Sequence, residues 1–263
     1  MRGVRALHLV SPSLEFRQIL GIRFFVGGVQ RAIELVKDGG LLVVPAAPAL
    51  KNLVKDPNYR EALLEADVAI TDSALMVMLW NFIQRDNIRR LSGLEYLAAL
   101  LIRSDVRKSG KSFWIMASSS SAATNLEWLQ GQGIEVSDED VYVAPMYGPT
   151  IDDEPLLAQI RKRRPSHIIV TIGGGSQERV GLYLKRRLDP LPAIHCIGAA
   201  IAFLSGDQVQ IPMWADRLYL GWLFRCLSEP RRYVPRYWSA RKLVWLMLQY
   251  RETLPLEKIK EAA

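Results

Sequence analysis

The sequence is short of the residues that most directly announce a chemistry. Only two cysteines occur in 263 residues, Cys196 and Cys226, both in apolar stretches. A disulfide framework or a zinc site needs more ligands at tighter spacing, so both read as reduced, packed thiols. Histidine is equally scarce. His8, His167 and His195 show no metal-ligand spacing, and the last two sit in strand-like segments where a packed ring is the ordinary reading. No uninterrupted apolar run approaches the ~18 residues of a membrane-spanning helix. Arg2 and Arg5 precede too short an apolar stretch for a secretory signal. These absences point to a cytoplasmic protein, free or peripheral. Acids are outnumbered, 27 against 34 Lys and Arg, for a formal net charge of +7. Such a balance favours an anionic partner: nucleic acid, a lipid headgroup surface or a phosphorylated substrate.

What the chain does have is apolar content and a regular alternation. Hydrophobic residues make up 49% of it, enough for a full core. Strand-like runs are expected at residues 21–26, 41–44, 66–71, 112–116, 141–143, 167–172 and 193–197. Helical patterns are expected at 29–37, 59–64, 73–83, 94–102, 122–129 and 154–161. Strand and helix in alternation specify an α/β fold, a mostly parallel Rossmann-like sheet flanked by helices. The character changes near Gly206. Between Asp216 and Arg251 there are eight Lys or Arg and two acids, and four of the seven tryptophans fall between Trp214 and Trp245. The expected organisation is therefore an α/β catalytic domain over residues 1–206 and a helical, basic and aromatic appendage over 207–263.

Four stretches can carry chemistry. In TIGGGSQE, residues 171–178, a β-branched run ends in Gly173, Gly174 and Gly175, and a helical pattern follows. Glycines admit close backbone approach, and a helix start offers free N–H groups, so the turn is a seat for a diphosphate or simply a tight joint. In ADVAITDS, residues 66–73, Asp72 stands where a parallel strand ends, the place where open α/β sheets bind ligands. It reads as a general base or as an N-cap of the next helix. In RLSGLEYLAALL, residues 90–101, Arg90 can meet a phosphate, and Glu95 is functional or solvated. In the tail, arginines alternate with Trp, Tyr and Phe, which suits a membrane interface, where rings lie at headgroup depth and guanidinium groups meet lipid phosphates. Nucleic acid or a protein partner would suit the same composition. The basic runs at 161–164 and 185–187 read as solvated helix ends.

Taken together, these stretches resemble the WecG/TagA/CpsF glycosyltransferases, glycosyltransferase family 26, from about residue 20 to 238. The most specific part is the ending: Gly198, Phe203-Leu204-Ser205-Gly206, Pro212 and Trp214, Leu220-Gly221-Trp222, Arg225, Glu229-Pro230-Arg231-Arg232 and Arg236-Tyr237. GGGSQE is similar to that family's Gly-x-Gly-Ser-(Pro-Lys)-Gln-Glu with two residues missing. Residues 55–72 are similar to its run into a catalytic Asp. The resemblance implies an inverting, metal-independent transfer from a UDP-sugar to a polyprenyl-diphosphate-linked saccharide, with no cofactor. It further implies peripheral attachment at the cytoplasmic face of the plasma membrane, in the service of exopolysaccharide or other cell-surface polysaccharide synthesis. By position, Asp72 would be the base. Arg90, Gly173, Gly174, Gly175, Ser176, Gln177 and Glu178 would serve the donor. Arg225, Arg231, Arg232 and Arg236, with Trp222 and Trp238, would serve the acceptor diphosphate or the membrane surface.

The departures from that pattern carry information of their own. The family's Thr and Asn after the second strand are absent from LVVPAAPAL, residues 42–50; Ser73, Gln210 and Gly221 also depart. Losing two polar groups beside the donor sugar suggests UDP-glucose, as in a xanthan-type enzyme, ahead of UDP-N-acetylmannosamine. Three rivals stand beside this reading. A dehydrogenase-like domain would need a GxGxxG turn after its first strand, of which residues 25–28 give only an echo. A nucleic-acid-binding protein rests on charge and the arginine-aromatic tail; no nucleic-acid partner is expected. A catalytically degenerate scaffold would dispense with Asp72. The apolar tail also suggests self-association.

Overall fold

A computed structural model describes residues 15–208 and 210–256. His8 and the two N-terminal arginines lie outside that range. The chain forms an eight-stranded sheet in the order β1-β2-β4-β3-β8-β7-β5-β6. The strands are β1 (Phe16–Ile19), β2 (Ile22–Phe25), β3 (Gly40–Val43), β4 (Val68–Ile70), β5 (Ser112–Met116), β6 (Val141–Val143), β7 (His167–Val170) and β8 (Ala193–Cys196). All neighbours pair parallel except β1 and β2. Those two form a hairpin whose two-residue turn, Leu20-Gly21, takes positive φ at both positions, the twist a tight hairpin requires. The hairpin adds a strand that periodicity did not announce, because FRQI is too short to alternate recognisably.

Residues of β3 show why the sheet is a middle layer. Leu41 and Val43 pack into one apolar cluster and Leu42 into the other, so both faces are covered. On one face lie α2 (Ala47–Leu50), α3 (Pro57–Leu64), α4 (Ala74–Gln84), α8 (Glu154–Arg163), α9 (Ser176–Arg187) and α14 (Arg241–Tyr250). On the other lie α1 (Val29–Glu34), α5 (Gly93–Leu101), α6 (Ser104–Arg107), α7 (Ser119–Gly131) and α10 (Ala200–Ser205). The expected α/β class and parallel sheet are what the structure shows. The short helices α2 and α6 were not foreseen, since four residues cannot display a helical period.

Beyond Gly206 the chain is helical: α11 (Met213–Arg217), α12 (Gly221–Ser228), α13 (Pro230–Ser239) and α14. Part of this segment is core. Ala240, Leu243, Leu246 and Met247 are buried in the same cluster as β3 and α4. The chain then returns to the hairpin, where Leu20 and Gly21 donate N–H groups to Arg251 O and Glu252 O at 2.7 and 2.8 Å. No described helix is long and apolar enough to cross a membrane.

Strand order places the functional region. β1–β4 fill one half of the sheet and β5–β8 the other, and the halves meet at the β3–β8 pair. The crevice at the carboxyl ends of these parallel strands is where open α/β sheets bind ligands.

Candidate active site

Asp72 lies at this crevice, two residues beyond β4. The strand end is pinned first. Thr71 Oγ1 donates to Arg89 O (2.9 Å) and accepts from Leu91 N (3.1 Å), which lays residues 89–91 alongside it. Of the two readings of Asp72, the N-cap is excluded, because Ser73 takes that role and its Oγ accepts from Met76 N at 3.2 Å. Asp72 is left to face the cleft with its side chain 22% exposed. Its Oδ1 accepts from Gly93 N (3.0 Å) and Arg90 Nη2 (3.3 Å). Its Oδ2 has no protein partner among the described residues.

Arg90 is fully engaged. Its Nε donates to Asp72 O at 2.6 Å, and Nη1 donates to Asp216 O (2.8 Å) and Oδ1 (3.0 Å). Nη2 also reaches Asp216 Oδ1 at 3.0 Å, and the Tyr219 ring lies 5.7 Å from the guanidinium. Burial disfavours its charge, but Asp72 and Asp216 together outweigh that and raise its pKa above the usual arginine value. Asp216 comes from α11 and is itself buried, with Ser92 Oγ donating to its Oδ2 at 2.5 Å.

These groups form the polar floor of a cleft of about 570 Å³. One wall is Ala46, Ala47 and Pro48, at the end of β3; another is Leu75 and Met78 of α4. The third comes from the C-terminal helices: Trp222, Arg225, Arg236, Tyr237 and Trp238. Arg225 stacks 4.3 Å above the Phe203 ring, and its Nη1 donates to Tyr237 Oη at 2.9 Å. Its buried Nε finds no acceptor among the described residues. Trp222 meets the Tyr237 ring edge-on. Arg231 is exposed, and Arg232 pairs with Glu229 at 3.2 Å on the outer surface. The structure thus brings Asp72, Arg90, Arg225, Arg236, Trp222 and Trp238 to one cleft and leaves Arg231 and Arg232 off its walls.

The glycine turn stands to one side of that cleft. Gly173 and Gly174 are exposed at the end of β7, and a Cβ on Gly174 would lie 3.7 Å from Ala49 of α2. Gly175 has φ +95°, a conformation that favours glycine. Ser176 opens α9. The next two side chains turn inward. Gln177 Oε1 accepts from Gly198 N at 2.5 Å, tying β8's exit turn to α9, and its Nε2 donates to Glu178 Oε1 at 3.1 Å. Glu178, fully buried, accepts from Gly175 N at 2.6 Å, and burial pushes its pKa up to about 7. These two hold the turn from beneath; Gly173 and Gly174 are its exposed part.

A model of the Glycosyl transferase WecG/TagA/CpsF family matches residues 17–256. The chain belongs to that family. The match runs through the strands, the cleft and the C-terminal helices alike. A relative from Bacillus spizizenii is 25% identical over 215 residues, covering 78% of this chain and 80% of its own length. One from Bacillus subtilis is 23% identical over 192 residues, covering 70% and 72%. Both are N-acetylglucosaminyldiphosphoundecaprenol N-acetyl-beta-D-mannosaminyltransferases. Neither favours the expectation of a glucosyl donor.

Sequence reasoning overlooked Asp216 and Ser92. One signal was present: Asp216 is one of only two acids in a segment holding eight cations. His167 and His195 are packed, as expected. Tyr96 Oη and His195 Nδ1 lie 2.8 Å apart, and His195 Nε2 and His167 Nδ1 3.1 Å apart, in a buried chain under α5. Burial holds both imidazoles below their ordinary pKa, so they are neutral at pH 7.

Proposed function

We propose that the cleft transfers an N-acetylhexosaminyl group from a UDP-sugar to a hydroxyl of a polyprenyl-diphosphate-linked saccharide, with inversion and without a metal. The observation that carries this is Asp72: a strand-end carboxylate lining the cleft, with one oxygen fixed by Arg90 and Gly93 and the other without a partner among the described residues. The free oxygen, Oδ2, takes the proton of the acceptor hydroxyl. The hydroxyl oxygen bonds to the anomeric carbon as the bond from that carbon to the UDP oxygen breaks. UDP departs with the electron pair, and the proton remains on Asp72. Charge growing on UDP meets the N–H groups of the exposed Gly173 and Gly174 and the guanidinium groups of Arg225 and Arg236; fixed donors aimed at developing charge are the usual source of such stabilisation. The apolar walls beside Trp222 and Trp238 suit a lipid-borne acceptor better than a free sugar. The protein acts as a peripheral enzyme at the cytoplasmic membrane face.

The named relatives support the N-acetylmannosaminyl donor. One observation favours glucose as a second reading: the β3-end wall is Ala46, Ala47 and Pro48, which offers no side-chain hydrogen bond to an acetamido group. Incubation of the purified protein with UDP-N-acetylmannosamine or UDP-glucose and an N-acetylglucosaminyl-diphospho-lipid decides between them by product mass. Product from the N-acetylated donor is expected, with full activity after EDTA. Turnover with UDP-glucose alone would replace the first reading by the second. Loss of turnover in EDTA, restored by a divalent ion, would remove metal independence, and an α-linked product by NMR would remove inversion.

A further inference from the structure

The floor of the cleft contains a residue that the motifs do not assign. Asp216 is buried, yet three of its contacts converge on the Asp72 neighbourhood. Its Oδ1 accepts from Nη1 and Nη2 of Arg90, each at 3.0 Å, and its main-chain oxygen accepts from Nη1 at 2.8 Å. Its Oδ2 accepts from Ser92 Oγ, the residue that caps α5 by accepting from Glu95 N at 3.0 Å. Arg90 in turn spans to the Asp72 main-chain oxygen and to its carboxylate. One guanidinium is therefore held between two carboxylates on elements 144 positions apart, since Asp72 follows β4 and Asp216 lies in α11.

Geometry leaves Arg90 little freedom. Its side chain is 12% exposed, Tyr219 covers one face, and all three nitrogens are already donating. A guanidinium so committed does not readily swing out to a diphosphate. We infer that Asp216 is a positioning residue: it anchors Arg90, and Arg90 fixes Asp72 Oδ1 so that Oδ2 stays turned toward the acceptor. The C-terminal segment then does more than wall the cleft. By carrying Asp216 it completes the carboxylate's orientation, so the catalytic geometry exists only when α11 is docked on α5, where Ile211 and Ala215 pack with Leu94 and Phe203.

The kinetic half of this inference rests on the proposed transfer reaction; the structural half does not. Two measurements on the full-length protein separate them. The first is a double-mutant cycle on turnover, with Asp216→Asn, Arg90→Gln and the pair. Asp216→Asn is expected to lower kcat 10- to 100-fold with donor KM changed less than threefold. In the Arg90→Gln background the same change is expected to cost less than threefold, because the anchored group is gone, while Asp216→Glu in the parent background restores at least part of the lost rate. Equal losses in both backgrounds, or a loss confined to KM, would overturn the inference. The second is amide exchange of Gly93, whose N–H donates to Asp72 Oδ1. It should quicken about tenfold in Asp216→Asn, with the exchange of the β3 and β8 amides unchanged, and slow again in Asp216→Glu. An unaltered Gly93 rate would sink the anchoring role whatever the protein transfers. Absence of turnover in the parent protein, with the Gly93 effect present, would instead count against the proposed reaction and leave the anchoring role standing.

Discussion

Single residues divide into those whose position spoke for itself and those whose orientation did not. The place of Asp72 at a strand end was legible, but that place suited an N-cap as well as a general base, and only the capping of α4 by Ser73 separates the two. Replacing Asp72 by Asn keeps the Gly93 and Arg90 contacts sterically possible but removes the proton acceptor; turnover should fall ~10²- to 10⁴-fold, the usual worth of general-base help. Steady-state rates checked against an unchanged melting temperature measure this, and an undiminished rate would disqualify Asp72 as base. Gln177 and Glu178 were legible as neighbours of the turn, but not as inward-facing, because that depends on where β8's exit loop passes. Glu178 carries a stability consequence. Its folded-state pKa is about 7 against an ordinary 4.5, so between those values the folded protein binds the extra proton. Stability is then greatest at the acid end of this window and falls as pH rises through it, by on the order of 3 kcal/mol in total. Denaturant melts from pH 5 to 8 should show the decline in the parent and its loss in Glu178→Gln, which keeps an acceptor for Gly175 without the charge. Parallel pH profiles for the two proteins would show that the carboxyl is not the source.

At the scale of elements, long periodic helices and the central strands were readable, and β5 and β6 were placed residue for residue. Short elements were not. α2 has four residues and no side-chain cap, and it forms because β3 delivers the chain into Pro48 beside the sheet. Nor could periodicity say how closely α9 approaches the sheet. That is set by Gly181, where an added Cβ would fall 2.5 Å from Cys196 Sγ and 2.6 Å from Leu41 Cδ1. Two effects oppose each other in Gly181→Ala. Helix propensity favours alanine by ~1 kcal/mol. Overpacking against side chains fixed in two central strands costs ~1–3 kcal/mol. Both contact atoms end short side chains that are fully buried and have little room to give, so overpacking should win and the variant should melt a few degrees lower. A variant as stable as the parent or more so would mean that α9 can lift from β3 and β8 at little cost.

At the scale of the whole molecule, the C-terminal helices face two ways. Inward they supply core and cleft; outward they show Trp214 (57% exposed), Trp245 (60%) and Leu227 (74%), among exposed Arg231, Arg232 and Arg241, and Trp238 (67%) and Arg236 stand exposed at the cleft wall between the two. Exposed Met78 and Phe82 extend this surface onto α4, against which α14 packs. Composition disclosed the amphipathic character of the tail, but not that its last helix closes the core, because Leu243, Leu246 and Met247 look no different in sequence from the exposed Leu248. Deleting the tail would therefore remove part of the core together with the exposed face. Point changes on the outer face distinguish the two. If this face rests on lipid, Trp238→Ala with Trp245→Ala should weaken binding to vesicles of anionic phospholipid by about tenfold or more, since burying a large side chain is worth roughly 1.5–3 kcal/mol. The melting temperature should hardly move, because neither ring is in the core. Arg231→Gln with Arg232→Gln should cost roughly 1 kcal/mol per charge, and that loss should vanish on neutral vesicles or in high salt. Co-sedimentation measures both. Salt-sensitive binding to duplex DNA with no preference for anionic vesicles would instead assign this face to nucleic acid, and vesicle affinity untouched by all four changes would place the contact with lipid elsewhere on the molecule.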